Sequence, residues 1–267
     1  MKTEIASVQG DFFELLLRSG YQWSKTLDCN IEKDHPVIPK GTTVLAFHFD
    51  QGALIAGDRR ATAGNNIMYE RCDKVIPIDE YSLMAIAGVP ATAFEMARVL
   101  SHNFEYYRRS QLQPLSAEGK IRALSRLLKE NAGLAMQGVG VVSPLFALYD
   151  VIEDKPAIYF YDILGASFRI VDYTATGSGS PMIRGVMEYE NLWGSKPLNK
   201  RNLNEAAQLA IRLLHTASQF DTATGQARPE ENLFPIVSTV TKEGYRFMDD
   251  TELSDLFRES MKRSTNV

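Results

Sequence analysis

The chain has 267 residues, of which 45% are apolar and 23% charged, and its formal net charge is −4. This length and apolar content can bury one substantial core, so we expect one folded domain rather than two. The negative charge offers no electrostatic basis for binding nucleic acid, which disfavours a DNA- or RNA-binding role.

The N-terminal segment, residues 1–41, has the composition of a leader and not of a signal peptide or membrane span. It carries an early acid, Glu4, and its apolar stretch from 12 to 17 is interrupted by Glu14. Cys29 and Cys72 lie far apart in sequence, which is not the pattern of a disulfide framework. We therefore predict a cytoplasmic protein without a membrane anchor, whose leader contains one apolar helix that docks on a partner surface.

The tripeptide Gly41-Thr42-Thr43 stands immediately before a strand-like run, 44–49. If the chain is cut after Gly41, Thr42 becomes an N-terminal threonine. Such a residue combines a hydroxyl nucleophile with its own base, because its α-amino group, with a reference pKa near ~8, can take the hydroxyl proton. Taken alone, however, the tripeptide also fits a turn that leads into a strand.

A lysine on an apolar strand is the next informative feature. Strands are predicted at 44–49 and 53–58, joined by a short turn, and again at 71–78 and 81–87. Burying an unpaired ammonium is costly, so Lys74 needs a charge partner or a function, and Asp58 is the natural partner. Strand alternation predicts that Lys74 shares its face with Cys72, Ile76 and Ile78.

The rest of the chain alternates between helical and strand-like segments. Apolar residues at helical spacing predict helices at 93–107, 121–135 and 206–217, one that opens at Ser180-Pro181, and one from 252 to 261. Further strands are predicted at 144–152, 157–164, 168–175, 234–240 and 245–248. This order suits two stacked sheets with a helical layer on each side, although periodicity alone specifies only a mixed α and β fold.

Six short segments, in this order along the chain, resemble those of proteasome β subunits. They are Gly41-Thr42-Thr43, 57–62 (GDRRAT), Asp73-Lys74-Val75, 85–88 (AIAG), 177–180 (GSGS) and 221–225 (DTATG). The last segment looks most like that of bacterial proteasomes of the actinobacterial type. The resemblance runs from Gly41 to the last helix, and it implies an α+β fold, the four-layer αββα sandwich of N-terminal nucleophile hydrolases.

The resemblance also implies a role for each segment. Thr42 is expected to be the nucleophile, freed by self-cleavage of the Gly41–Thr42 bond, with the backbone N–H of Gly88 at the oxyanion. The other expected catalytic residues are Asp58, Lys74, Ser178, Asp221 and Thr224. Ser178 corresponds to the family's active-site serine, and Asp221 and Thr224 are the supporting pair that orients the amino terminus. The expected substrate-binding residues are Ala61, Thr62, Cys72, Ile76 and Ile86. The first specificity pocket would be apolar, which favours cleavage after hydrophobic side chains.

Two positions depart from the family pattern. Pro90 stands where the family usually offers a backbone N–H to the substrate, and proline has no such donor. A substrate held as an added strand would lose one hydrogen bond, worth about 0.5 to 1.5 kcal/mol net. Thr224 replaces the usual serine and keeps its hydroxyl.

At the level of function, the resemblance implies a threonine endopeptidase subunit of a 20S-type proteasome core that degrades unfolded proteins to peptides. Residues 1–41 would be a propeptide, and 42–267 the catalytic domain with a short flexible C-terminal tail. The implied partners are other β subunits in a heptameric ring, proteasome α subunits, a ring-shaped ATPase activator and unfolded substrates. No cofactor and no metal is expected.

Three alternatives compete with this interpretation. A non-catalytic ring subunit generally lacks the Gly-Thr junction or the lysine, and this chain has both. A non-proteasomal N-terminal nucleophile amidohydrolase is disfavoured by the segments around Ser178 and Asp221. A dinucleotide-binding protein would need a third glycine at Met182. The four histidines are scattered, so neither a metalloprotease nor a Ser-His-Asp mechanism has its parts.

Overall fold

Two antiparallel five-stranded sheets form the centre of the computed structural model, which describes residues 12–20, 41–64 and 66–262. The first sheet contains, in spatial order, β10 (Tyr173–Gly177), β1 (Thr43–Phe49), β2 (Gly52–Gly57), β11 (Ile236–Thr241) and β12 (Gly244–Phe247). The second contains β5 (Val75–Asp79), β6 (Ser82–Ala85), β7 (Leu145–Asp150), β8 (Lys155–Tyr161) and β9 (Ser167–Ile170). Most of the predicted leader and the predicted C-terminal tail lie outside the described residues.

Helices cover the outer face of each sheet. The second sheet is covered by α2 (Pro90–Gln111) and α3 (Ala117–Met136), and the first by α4 (Ser180–Leu192), α5 (Leu203–Phe220) and α6 (Asp250–Lys262). A proline in the first turn of α2 costs no hydrogen bond, since that N–H has no partner within the helix. Asn202 and Glu205 form a capping box at the start of α5. The predicted four-layer αββα sandwich is confirmed.

The apolar alternation of the central strands explains why two sheets stack. In β1, Leu45 and Phe47 pack toward the helices, whereas Val44 and Ala46 face the other sheet. All four side chains are fully buried. A strand with both faces apolar must be covered on both sides, and burial of such side chains contributes roughly 1.5 to 3 kcal/mol each. The strand thereby fixes the position of its own N-terminal end, where Thr42 precedes it.

The predicted strand 168–175 is wrong, because the structure has two strands there, in different sheets. Strand β9 pairs with β8, and β10 pairs with β1. The chain crosses between the sheets at Val171, which is 84% exposed. The crossing contains neither glycine nor proline, and Asp172 is its one residue of a type common in turns, so the sequence marks it only weakly. A short hairpin of β3 (Ala61–Ala63) and β4 (Asn66–Tyr69) was also not predicted.

The leader helix, α1 (Phe12–Arg18), packs on its own chain. Phe12 and Leu16 contact the apolar cluster beneath α2 and α3, and the ring of Phe12 lies 5.5 Å from that of Tyr106. The sequence suggested a partner surface for this helix, but Phe12 and Leu16 contact the same chain. These two contacts hold residues 12–18 against the second sheet's helical layer.

We expect Phe12→Ala to release α1 from α2. Losing this half-buried ring removes roughly 1 kcal/mol of docking energy, which raises the undocked population about fivefold. Trypsin should then cleave after Arg18 correspondingly faster in chains that retain the leader, as followed by mass spectrometry. Leu15→Ala is the matched control because Leu15 is 41% exposed. Equal cleavage rates for the two variants would contradict the docking.

Candidate active site

Asp58 is a fully buried carboxylate that accepts hydrogen bonds from four groups. One oxygen, Oδ1, accepts from the N–H of Thr43 at 2.8 Å and from Nζ of Lys74 at 2.7 Å. The other, Oδ2, accepts from the N–H of Arg60 at 2.9 Å and of Gly225 at 2.8 Å. Because the donors come from four separate segments, one side chain joins both sheets and the loop after α5.

Lys74 is almost as deeply buried, with 2% of its side chain exposed. Besides Asp58, its Nζ donates to the carbonyl oxygen of Arg60 at 2.5 Å and to that of Gly41 at 3.4 Å. An ammonium has three N–H groups, and three oxygens surround this one. The pairing offsets the cost of burying the charge. A positive charge is thereby held beside the Gly41 carbonyl.

The hydroxyl of Thr42 lies against the same carbonyl. Its Oγ1 donates to the Gly41 oxygen at 2.5 Å, across the intact Gly41–Thr42 bond. Packing around Gly41 is close, since a Cβ added there would lie 2.0 Å from Oγ1 of Thr62. The nucleophile candidate, the Gly41–Thr42 bond and the lysine charge therefore meet at one carbonyl group.

Ser178, Asp221 and Thr224 lie on the other side of Thr42. The N–H of Ser178 donates to the Thr42 carbonyl oxygen at 2.9 Å. The Asp221 carboxylate accepts from the hydroxyl of Ser178 at 2.6 Å and from that of Thr224 at 2.5 Å. Gly177 has a φ of 98°, and a Cβ there would lie 1.9 Å from the Thr42 carbonyl oxygen. Only glycine permits this approach.

Gly88 forms an isolated antiparallel bridge with Val142 in which its own N–H takes no part. The two hydrogen bonds of the bridge run from the N–H of Val89 to the carbonyl oxygen of Val141 and from the N–H of Ser143 to that of Ala87. Its φ is 122°, and a Cβ would lie 2.1 Å from the carbonyl oxygen of Val141. Glycine is therefore required at this position on conformational and steric grounds.

A narrow cleft brings most of the predicted residues together. It is lined by Gly41, Thr42, Ala61, Thr62, Cys72, Lys74, Ile86, Gly88 and Pro90. Its free volume is about 10 Å³, at the lower limit for one water molecule. Burial raises the pKa of the Cys72 thiol, which keeps this wall of the cleft uncharged at neutral pH. With the Gly41–Thr42 bond intact, the cleft has no room for a substrate side chain.

Ile76, the remaining predicted substrate-binding residue, does not line this cleft. The regular strand β5 begins only at Val75, so the alternation expected from Cys72 onward does not extend through Lys74 to Ile76. Ile76 instead packs against the apolar cluster under α2. It also lines a separate groove of about 960 Å³ between α2, β5, β12 and α6.

Sequence reasoning missed the backbone groups of the site. The carbonyl of Arg60 and the N–H of Gly225 complete the shells of Lys74 and Asp58, respectively. Every residue has such groups, so no pattern in the sequence marks them. Arg60 and Gly225 do lie within two of the segments that carry the resemblance, which is the one signal available.

Two classes of feature are absent from residues 12–20, 41–64 and 66–262. No group of three or more histidine, cysteine, aspartate or glutamate side chains is arranged there to hold a metal ion. Likewise, none of the helices in those ranges has the length and apolar character needed to cross a membrane.

Comparison with known proteins gives matches along most of the chain. The family model described as "Proteasome subunit" matches residues 38–227. A "Proteasome subunit beta" from Streptomyces griseus is 40% identical over 227 residues, which cover 84% of this chain and 78% of that protein. A "Proteasome subunit beta 2" from Thermomonospora curvata is 39% identical over 251 residues, which cover 92% of this chain and 85% of that protein. A "Proteasome subunit beta" from Acidimicrobium ferrooxidans is 38% identical over 221 residues, which cover 82% of this chain and 78% of that protein.

We expect Gly41→Ala to slow the self-cleavage predicted from the sequence. The new Cβ would lie 2.0 Å from Oγ1 of Thr62 and 3.2 Å from the Cβ of Ala223, so either these side chains or the Gly41 backbone must shift. We expect the backbone to shift, because Gly41 would then be crowded from two sides. A displacement of about 1 Å at a reacting group can cost on the order of 100-fold in rate. The rate is measured by intact mass over time in assembled material. Gly133→Ala is the control, since a Cβ at Gly133 meets nothing within 4 Å.

The steric cause has its own test in the double variant Gly41→Ala with Thr62→Ala. Removing the Thr62 hydroxyl leaves the new methyl group 3.1 Å from the Thr62 Cβ, so cleavage should recover in part. A double variant as slow as Gly41→Ala alone would show that the clash is not the cause.

Proposed function

Because the chain belongs to the proteasome subunit family, we propose that it is a catalytic β subunit of a 20S-type proteasome core, a threonine endopeptidase. The observation that carries the proposal is the arrangement at the Gly41 carbonyl. The hydroxyl of Thr42 lies 2.5 Å from that oxygen, and the paired ammonium of Lys74 lies 3.4 Å from it.

In the proposed maturation, the chain cuts its own Gly41–Thr42 bond. The Oγ1 of Thr42 attacks the Gly41 carbonyl carbon, and the hydroxyl proton is transferred to the Thr42 amide nitrogen as the C–N bond breaks. Water then hydrolyses the resulting ester. This releases residues 1–41 with a carboxylate on Gly41, and it leaves Thr42 with a free amine and a free hydroxyl. The Lys74 charge stabilises the negative charge that develops on the carbonyl oxygen.

The mature site then cleaves peptides by the same type of attack. The free α-amine of Thr42 takes the hydroxyl proton and returns it to the leaving amine, and water hydrolyses the acyl-enzyme ester. Ser178 and Asp221 hold the amine, and the N–H of Gly88 donates to the oxyanion. A donor of this kind lowers the barrier by roughly 3 to 4 kcal/mol.

The cleft supports a preference for apolar side chains before the cleaved bond. Its side walls are formed by Ala61, Cys72 and Ile86, and the raised pKa of the Cys72 thiol keeps that wall neutral. Pro90 lies at its edge without an N–H, so an extended substrate has one main-chain hydrogen bond fewer at this point. Departure of Gly41 with the leader would open the space that the substrate residue takes.

The proposed assembly follows the names of the relatives, which are proteasome β subunits. We propose heptameric rings with α subunits and a ring-shaped ATPase activator that delivers unfolded proteins in the cytoplasm. Exposed apolar side chains support extensive contacts with other chains. Ile67, Met68 and Tyr69 on β4 are each more than half exposed, a feature typical of interaction surfaces.

Two buried lysines provide a matched test of the catalytic proposal. Lys74 pairs with Asp58 at 2.7 Å, and Lys120 pairs with Asp79 at 2.6 Å, but only Lys74 lies at the Gly41 carbonyl. In assembled particles, Lys74→Ala should lower turnover of a fluorogenic peptide and of an unfolded protein by roughly 100-fold or more. Lys120→Ala should lower thermal stability and leave turnover per particle within about twofold.

Thr42→Ala serves as the inactive reference, and particle size by gel filtration shows whether each variant assembles. The proposal is contradicted if assembled Lys74→Ala particles turn over both substrates at the rate of the Lys120→Ala particles.

A further inference from the structure

Thr43, the residue after the nucleophile candidate, has a fully buried side chain between the two halves of the site. Its backbone N–H donates to Asp58, on the Lys74 side. Its hydroxyl lies 2.6 Å from the hydroxyl of Thr224, on the Asp221 side, and accepts from the N–H of Gly179 at 3.0 Å. Thr43 therefore contacts both halves, although no role for its hydroxyl follows from the sequence pattern.

The direction of these hydrogen bonds can be worked out from the number of donors. Each hydroxyl has one hydrogen, and the hydroxyl of Thr224 uses its own toward the Asp221 carboxylate at 2.5 Å. The hydrogen between the two threonine hydroxyls is therefore that of Thr43. A chain of donors results, from Gly179 N–H to Thr43, then to Thr224, and finally to Asp221.

The same carboxylate oxygen of Asp221 also accepts from Ser178 at 2.6 Å. Linked hydrogen bonds polarise one another in a buried site, so the donor at the start of the chain strengthens the bond at its end. Gly179 is placed to permit this, since a Cβ there would lie 2.4 Å from Oγ1 of Thr43 and 2.8 Å from Oγ1 of Thr224.

We propose that the Thr43 hydroxyl is a positioning group for catalysis, one that fixes the direction of the hydrogen-bond chain ending on Asp221. Asp221 then presents acceptor oxygens to Ser178, which contacts Thr42. Without the Thr43 hydroxyl, Gly179 loses its buried acceptor, and the Thr224 hydroxyl loses its donor and can rotate away from Asp221. This inference rests on the proposed function, because Asp221 and Ser178 hold the Thr42 amine there.

The test compares Thr43→Val, which keeps the branched shape without the hydroxyl, with Thr43→Ser, which keeps the hydroxyl. Both are made in the full chain and assembled with its partner subunits. We expect Thr43→Val to lower kcat for a fluorogenic peptide on the order of 10- to 100-fold, with KM within about twofold. Thr43→Ser should restore kcat. Thr239→Val, a buried strand threonine outside the site, is the control.

The pH profile separates positioning from mere packing. Without the Thr43 hydroxyl, Asp221 loses the strengthened hydrogen bond from the Thr224 hydroxyl, so less of its negative charge is neutralised. The Asp221 carboxylate should then raise the pKa of the nearby Thr42 amine. The acidic limb of the kcat–pH profile should therefore lie at higher pH in Thr43→Val than in the wild type. In Thr43→Ser it should lie at its wild-type position. If Thr43→Val does not assemble, Thr43→Ala carries the same comparison without adding bulk.

Equal kcat and pH profiles for Thr43→Val, or Thr43→Ala in its place, and the wild type would overturn the inference, provided that Thr42→Ala is inactive. So would a loss of kcat that Thr43→Ser does not restore. Activity in Thr42→Ala itself would instead overturn the proposed function, so the two failures are distinguishable.

Discussion

The buried carboxylate of Asp58 is the interaction on which the rest of the site depends. It joins the end of β2 to the start of β1, to Lys74 immediately before β5 of the second sheet, and to the loop after α5. Removing it would leave a buried ammonium and three buried N–H groups without their acceptor, which is far more costly than losing a surface pair. The same contact therefore stabilises the stacking of the sheets and holds positive charge at the Gly41 carbonyl.

Close backbone approach is the second constraint, and it explains where glycines are required. Side chains at Gly41, Gly177 or Gly179 would collide with Thr62, the Thr42 carbonyl or the Thr43 hydroxyl, respectively. Because strand β1 is buried on both faces, its N-terminal end cannot move to accommodate them. The precision of the site is thus a consequence of core packing, which places the Gly41–Thr42 bond between two sets of polar groups.

Much of this arrangement could be predicted from the sequence, for physical reasons that also explain the failures. Apolar periodicity located the central strands and the long helices, and the lysine in an apolar run indicated its partner Asp58. The same reasoning placed Ile76 on one face with Lys74, but strand alternation does not hold before β5 begins. It also merged β9 with β10, since the exposed crossing at Val171 contains neither glycine nor proline. The direction of the Thr43 hydroxyl depends on partners more than 100 residues away and left no local signal.

We propose that the Gly41–Thr42 bond is cut by the hydroxyl that lies against it. The most direct measurement is the intact mass of this subunit in purified, proteolytically active particles, compared with the Thr42→Ala subunit assembled in the same way. If Thr42 cuts the bond, the wild-type chain should begin at Thr42 and the variant should keep residues 1–41. Active particles whose subunit still carries the leader, or a Thr42→Ala subunit cut at the same bond, would contradict it.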